Sequence, residues 1–517
     1  MRPLKIFIFF LIILTIVGFI AYFYPDSGIS LGKNYTLTFP SLTDIIREQE
    51  RQYKDISKIV EDNPPSDTSL NFFHTSFKDS AKKDTNKVAH QDTSIKQSKE
   101  TVQKKYTGKK QKINSRRKLE YPENNISVLT PFFKSLKNAP SNNKLIRILH
   151  YGDSQIEGDR ISSYIRNQLQ KRFGGGGIGL FPVIHPFSNS LSVKLSSSNN
   201  WKRYTIRDMK TSSFKHKRFG ILHSFSKYSP FYSNYQDKVY KASINIKESP
   251  IAFNRASDFK KCKIFFGFNR KPFIVKIMED NEVSDAEMIP ATKKLQTMEW
   301  NLEPSTDELS ITFEGMHGPD IYGIALDGEK GIALDNIPLR GSSGTGFTKT
   351  NQSFYKEMFN KLNVKLIIMH FGVNIVPSSR ENYDFYEEKL CQQLQFLKSL
   401  DEELSIIVMG VSDMSKKTEG HYESYSNIEK IRTAQKNAAF KANCAFWDTY
   451  KAMGGKNSMP SWVFADPPLA RKDFTHFTYK GSVVIAKMFY KALIKDYNRY
   501  IQKDNADSLN TENIIND

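Results

Sequence analysis

Apolar and polar positions follow distinct patterns along this chain, and each stretch predicts a different architecture. A short apolar run with alternation, 145–149, reads as a buried strand and breaks at Gly152-Asp153-Ser154. A helical period follows, with Ile161, Tyr164, Ile165, Gln168, Leu169 and Phe173 on one face. From about 190 to 325 helical periods vanish. Alternating runs recur at 191–195, 241–246, 262–268, 273–278 and 308–313, separated by turn residues such as Asp280-Asn281 and Pro304-Ser305. This predicts an inserted antiparallel β-sandwich or jelly roll, residues 191–324. Strands and helices then alternate again: strand 332–337, helix 352–362, strand 364–371, helix 381–400, strand 404–409, helix 426–443, strand 445–448 and helix 482–500. That alternation predicts a parallel sheet covered by helices on both faces, built from 141–190 and 325–503. Residues 504–517 read as a frayed polar tail.

The N-terminal region differs. Ile6 to Tyr24 is free of charge over nineteen residues. As a helix it spans about 28 Å, against about 30 Å of hydrocarbon in a bilayer. Arg2 and Lys5 precede it, and no small-x-small cleavage site or lipid-acceptor cysteine follows. Residues 1–24 are therefore read as an uncleaved transmembrane signal anchor, a cleaved signal peptide being the alternative. The rest of the chain would lie outside the cytoplasm, in the periplasm of a two-membrane bacterium. Residues 25–140 are dominated by Asn, Ser, Asp, Thr and Lys and read as a basic, disordered, low-complexity linker. Two short helical stretches in it, 42–60 and 126–136, receive no role. The net charge is +20, and Lys78 to Lys118 holds fourteen Lys/Arg against four Asp/Glu, an excess of ten. Such a tract can bind nucleic acid, but beyond a membrane anchor a solvated, self-repelling linker is the reading adopted, with no nucleic-acid partner.

Candidate chemistry narrows the picture further. Cys262, Cys391 and Cys444 are scattered and odd in number, which excludes a disulfide scaffold and a Cys-x-x-Cys metal site. The ten histidines do not cluster, and the glycine-dense segment 173–182 lacks the Gly-Lys-Ser/Thr of a phosphate loop. Three short motifs close strands or loops: Gly152-Asp153-Ser154, Gly372-Val373-Asn374 and Asp473-Phe474-Thr475-His476. A strand that ends in Gly-Asp-Ser and feeds a helix holds its serine at the C-terminal sheet edge, where open α/β folds place ligands. Asp153 or Ser154 as a plain helix cap is the bland alternative. In this order the motifs resemble the SGNH (GDSL-like) hydrolase family, with Ser343-Gly344-Thr345 supplying its glycine loop. The anchor, linker and β insert further resemble the peptidoglycan O-acetylesterases of that family.

The resemblance implies a three-layer α/β/α domain. It also implies Ser154 as nucleophile, His476 as general base and acid, and Asp473 as the imidazole's orienting partner. The oxyanion would be met by the Ser154 N–H, the Gly344 N–H and the Asn374 amide, with Gly341 or Gly346 as alternatives to Gly344. No metal and no organic cofactor is implied. His150 and His370 are expected to be core groups, and Asp153 a turn-former. The sequence departs from the family at Gln155, where a leucine is usual, and at Ile375, where an acid is frequent. The expected substrate is an acylated polysaccharide, peptidoglycan first. An O-acetyltransferase with the same site and a non-catalytic glycan-binding protein are the alternatives. The insert's aromatics, Trp201, Tyr204, Phe265, Phe266, Phe268 and Trp300, are either sugar-stacking platforms or core.

Overall fold

The computed structural model describes residues 3–23, 29–30, 36–37, 53–65, 118–185, 190–210, 214, 216–231, 238–303, 308–418 and 420–516; most of the basic tract lies outside them. The chain divides into two units, Met1–Lys54 and Asp55–Asp517. In the first, a 21-residue helix covers Pro3–Phe23 and exposes apolar side chains such as Phe7, Leu14 and Phe19. Its side chains are described at 7–20 and 22, and among the described residues no helix is long and apolar enough to cross a membrane.

The second unit is organised around a six-stranded sheet. Its strands are β1 (Leu119–Glu120), β2 (Leu145–Gly152), β3 (Gly331–Pro338), β4 (Val364–His370), β5 (Ser405–Met409) and β6 (Ala445–Trp447). Their spatial order is β3-β2-β4-β5-β6-β1. All neighbours are parallel except β1, which pairs antiparallel with β6 through Phe446↔Glu120 and Trp447↔Leu119. The longer helices of this unit are α1 (Thr130–Asn138), α2 (Ser162–Phe173), α3 (Gln352–Leu362), α4 (Asp384–Lys398), α5 (Ile428–Lys441) and α6 (Tyr479–Asn516).

Strand alternation sorts the core into two layers. Ile146, Ile148, Leu366, Ile368, Ile407 and Trp447 point to one face, with Phe133 of α1, Ile165 of α2 and Phe489 of α6. Tyr151, Ile367, Met369, Val408 and Phe446 point to the other, with Met358 of α3, Leu394 of α4 and Ala438 of α5. Burial on both faces is why these strands read as nearly continuous apolar runs. The chain leaves β2 for β3 on one side and then crosses to β4 on the other, so the crevice at the C-terminal ends of β2 and β4 is the topological switch point.

The insert is a two-sheet sandwich. One sheet has the order Leu295–Asn301, Lys261–Gly267, Asp320–Asp327, Ser224–Lys227, Lys202–Thr205, with Gly179–Phe181 also paired to Asp320–Asp327. The other runs Glu282–Ile289, Phe273–Glu279, Glu308–Gly315, Tyr240–Glu248, Val193–Ser197. Asp280 and Asn281 both take positive φ, +49° and +73°, which fits the turn of a two-residue hairpin. Ile264, Phe266 and Ile324 fill the space between the sheets with Ile244, Val275 and Ile311. The opposite face of the first sheet, with Phe265 and Tyr322, packs into the same core as Phe354 and Tyr151 of the parallel-sheet domain.

Some boundaries differ from expectation. Residues 118–140 are part of the folded domain, not linker: Leu119, Leu129, Phe132, Phe133 and Leu136 are buried in its core. The polar outer face of α1 had diluted this signal. The helix Ser57–Asp62 also contributes Ile59 to that core. Asp320–Asp327 belongs to the insert, and the parallel sheet resumes at Gly331; fully buried, that strand looks in sequence like a parallel one. The segment 504–516 continues α6 instead of fraying. Trp201, Tyr204, Phe265, Phe266 and Trp300 are all buried, so they offer no open sugar platform. The three cysteines are free and buried.

Because Phe133 is fully buried between α6 and the sheet, Phe133→Ala in the full-length chain is expected to lower unfolding free energy by about 3–5 kcal/mol. Urea denaturation measures it. A loss below about 1 kcal/mol would restore residues 118–140 to the linker.

Candidate active site

The site begins where β2 ends. At Gly152 a Cβ would sit 2.9 Å from the His370 carbonyl oxygen, so only glycine lets the ends of β2 and β4 approach this closely. The next residue fastens them. The Asp153 N–H donates to His370 O (3.1 Å), Oδ1 accepts from Gln155 N (3.0 Å) and Oδ2 accepts from Gly372 N (3.1 Å). Burial pushes this carboxyl up to about 6, against the pull of the Gln155 and Gly372 N–H groups and of His476. Ser154 then opens a turn of 3-10 helix, Ser154–Asp159, leading to α2.

The partner side chains arrive from the loop before α6. Ser154 Oγ lies 2.8 Å from His476 Nε2, and His476 Nδ1 lies 2.8 Å from Asp473 Oδ2. Asp473 Oδ1 also accepts the N–H groups of Thr475 (3.0 Å) and His476 (2.9 Å). Partial burial opposes ionisation of Asp473. The imidazole hydrogen bond and the two N–H groups outweigh it and hold the carboxyl at about 2. An ionised Asp473 only accepts, so Nδ1 carries the hydrogen and Nε2 is left to accept the Ser154 hydroxyl. Between the two residues, Phe474 takes a left-handed φ of +54° and stacks on Tyr422 at 3.6 Å.

The loops after β3 and β4 close the other side. Leu339 N donates to Gly152 O (2.7 Å), which brings the 339–346 loop against the end of β2. Within it Ser342 Oγ accepts the Gly344 N–H (3.1 Å), and Ser342 O accepts Asn374 Nδ2 (2.9 Å). Asn374 is exposed, and one of its two amide hydrogens remains beyond this bond. The Gly344 N–H, in contrast, is engaged inside its own loop. His150 and His370 stack in parallel at 5.9 Å, fully buried, and burial holds both below the usual imidazole range. They are core groups. Among the described residues no cluster of His, Cys, Asp and Glu is arranged to hold a metal.

No protein-family model and no curated protein matches this chain. Among solved structures, a peptidoglycan O-acetylesterase superposes on 71% of this chain and 96% of its own, with a TM-score of 0.56 and 20% identity. A family two carbohydrate esterase from Clostridium thermocellum aligns with 51% of this chain and 93% of its own, with a TM-score of 0.22 and 8% identity. The chain shares the fold of that peptidoglycan O-acetylesterase.

Within that fold, two residues near the triad escaped the motif reading. Gln155 is 1% exposed and grips both sides of His476: Nε2 donates to Thr475 O (2.7 Å), and Oε1 accepts Phe477 N (3.4 Å). Arg160 ties the same two loops, donating to Ser154 O (2.7 Å) and to Phe477 O (3.0 Å). The signal for Gln155 was present as the polar departure from the family's leucine. Arg160 carried no signal, because its partners are backbone carbonyls 317 positions away or in its own turn.

Asp153→Asn presents an amide donor to one of the N–H groups that the carboxylate now accepts. A buried donor is left unpaired, and the expected loss is about 1–3 kcal/mol of stability, read by equilibrium unfolding. An unchanged midpoint would remove Asp153 as the fastener of the crevice.

Proposed function

We propose that this chain is a membrane-anchored serine esterase of the SGNH type that removes O-acetyl groups from a cell-envelope polysaccharide, peptidoglycan first. The observation that carries the reading is the Ser154–His476–Asp473 relay, with both links at 2.8 Å. Its chemistry follows from the donors and acceptors present. His476 Nε2 takes the Ser154 proton as Oγ attacks the ester carbonyl, and Asp473 stabilises the imidazolium that forms. His476 then protonates the leaving sugar oxygen, giving an acyl-serine. Water, activated by the same imidazole, releases the acid. The developing oxyanion is met by the Ser154 N–H and the remaining Asn374 amide hydrogen. The Gly344 N–H joins them once its bond to Ser342 yields.

The substrate class is supported by the structural neighbour described as a peptidoglycan O-acetylesterase, which matches 71% of this chain and 96% of its own. The membrane reading is supported by the charge-free run Ile6–Tyr24 and by Arg2 and Lys5 ahead of it.

The test is acetate release from O-acetylated peptidoglycan, alongside hydrolysis of a small aryl acetate. Ser154→Ala is expected to abolish both with an unchanged melting temperature. Asn374→Ala should cost about 3–4 kcal/mol of transition-state stabilisation, seen in kcat. Gln155→Leu should lower kcat about ten-fold with KM little changed, since it loosens His476 without touching the substrate. Cleavage of the aryl acetate alone would leave the triad standing and remove peptidoglycan as the polymer. An inert wild-type protein would reject the esterase reading. Deleting residues 1–24 should move the protein from the membrane fraction to the soluble one.

A further inference from the structure

The β insert contains a cavity of about 510 Å³, remote in sequence from the triad. That volume falls within the range of small-ligand sites, about 300–1,000 Å³. Among the described residues that line it, Arg218, Lys227, Arg270 and Lys293 stand with one carboxylate, Asp320. The carboxylate is already engaged. Lys227 Nζ lies 3.3 Å from Asp320 Oδ1 and also donates to Gly318 O, while His216 Nε2 stands 3.6 Å from Oδ2. Both the Lys227 and Asp320 side chains are buried, at 6% and 4% exposure, so the floor is a charge pair that desolvation makes costly to keep. The cationic field also shows in its histidines. Burial, then Arg218 and Lys227, bring His216 down to about 4, and burial, then Lys227 and Arg270, lower His317.

Two wall residues point to the ligand's other chemistry. Arg218 and Asn269 line the cavity, and Arg218 Nε and Asn269 Oδ1, a donor and an acceptor, are buried without a hydrogen-bond partner. Both are held in place: the Arg218 guanidinium lies 3.8 Å over the Phe268 ring, and Asn269 Nδ2 donates to Lys271 O and Pro290 O at 2.9 Å. A bare anion satisfies the donor only. A sugar that carries both a carboxylate and hydroxyls satisfies the cations, the donor and the acceptor together.

We propose that this cavity is a binding site for a carboxylate-bearing saccharide, through which the insert holds the anionic glycan strand whose esters the Ser154 site cleaves. The identity of the strand rests on the function proposed above; the charge and hydroxyl chemistry of the cavity does not. The carboxylate has two sources in peptidoglycan: the stem peptide, or the lactyl group of a muramyl sugar whose amide bond to the stem has been cleaved.

The experiment uses the full-length chain carrying Ser154→Ala, so that nothing turns over, and titrates it by calorimetry with three probes. These are muramidase-released strands with stems, the same strands stripped by an amidase, and neutral chitohexaose. At least one of the two anionic probes should bind about ten-fold tighter than chitohexaose. Binding gained on stripping assigns the lactyl carboxylate, which is free only once its amide to the stem is cleaved, and binding lost assigns the stem. Arg270 and Lys293 are exposed on the rim. Arg270→Glu with Lys293→Glu should therefore weaken anionic binding about ten-fold, with an unchanged melting temperature. In the Ser154 background the same pair should leave aryl acetate hydrolysis unaltered. Equal affinity for chitohexaose, an indifferent charge-reversed variant, or transfer of the effect to anionic lipid vesicles would overturn the proposal. If the wild type proves inert as an esterase while charge-dependent strand binding persists, the cavity stands and the esterase reading falls.

Discussion

One buried carboxylate holds the crevice together. Asp153 sits between the ends of β2 and β4 and accepts N–H groups from each side, from Gln155 on its own turn and from Gly372 on the other. With Gly152 admitting the His370 carbonyl, this fixes the separation of the two loops that carry Ser154 and Asn374. Everything else in the site is referred to that frame. Gln155 and Arg160 hang the His476 loop from it, and Ser342 hangs Asn374 from the loop after β3. The carboxylate is buried for this purpose at a cost visible in its raised pKa, a strain of the kind that clusters at functional sites.

The parallel-sheet domain was largely legible because its strands are buried on both faces and its helices carry one apolar face. Helix 352–362 and strand 364–370 fell where the periodicity placed them. The same rule misled at Asp320–Asp327, an antiparallel strand sandwiched so completely that its side chains do not alternate in burial. Strands Glu282–Ile289 and Lys202–Thr205 went unseen: the first exposes most of its residues, and the second is four residues long with Tyr204 its one buried side chain, so neither carries an apolar rhythm. The triad was legible through short motifs whose spacing reflects loop geometry. Arg160 was not, because a side chain that binds carbonyls leaves no complementary residue type elsewhere in the sequence.

The insert is joined to the sheet domain by more than its two crossings. Arg147 of β2, buried, donates to Asp335 of β3 and to Asp327 of the insert, and Asp335 also accepts Leu180 N (2.8 Å). Arg166 of α2 bonds Asp159, Ser192 and the carbonyls of Ile178 and Leu334. Pairs this deeply buried add little stability over an apolar core, but removal of one partner is severe. Their effect is on geometry: the two domains share one continuous core and one set of fixed charges.

The connectivity of the sheet has a consequence in time. The first strand of the folded domain, Leu119–Glu120, pairs only with the last, Ala445–Trp447. Ser154 waits for His476 across 322 positions. A ribosome delivers the chain from its N-terminus, so Ser154 emerges long before His476. Contacts of such long range form late. A chain still emerging therefore holds Ser154 without His476, and the two meet only when nearly the whole polypeptide has been delivered.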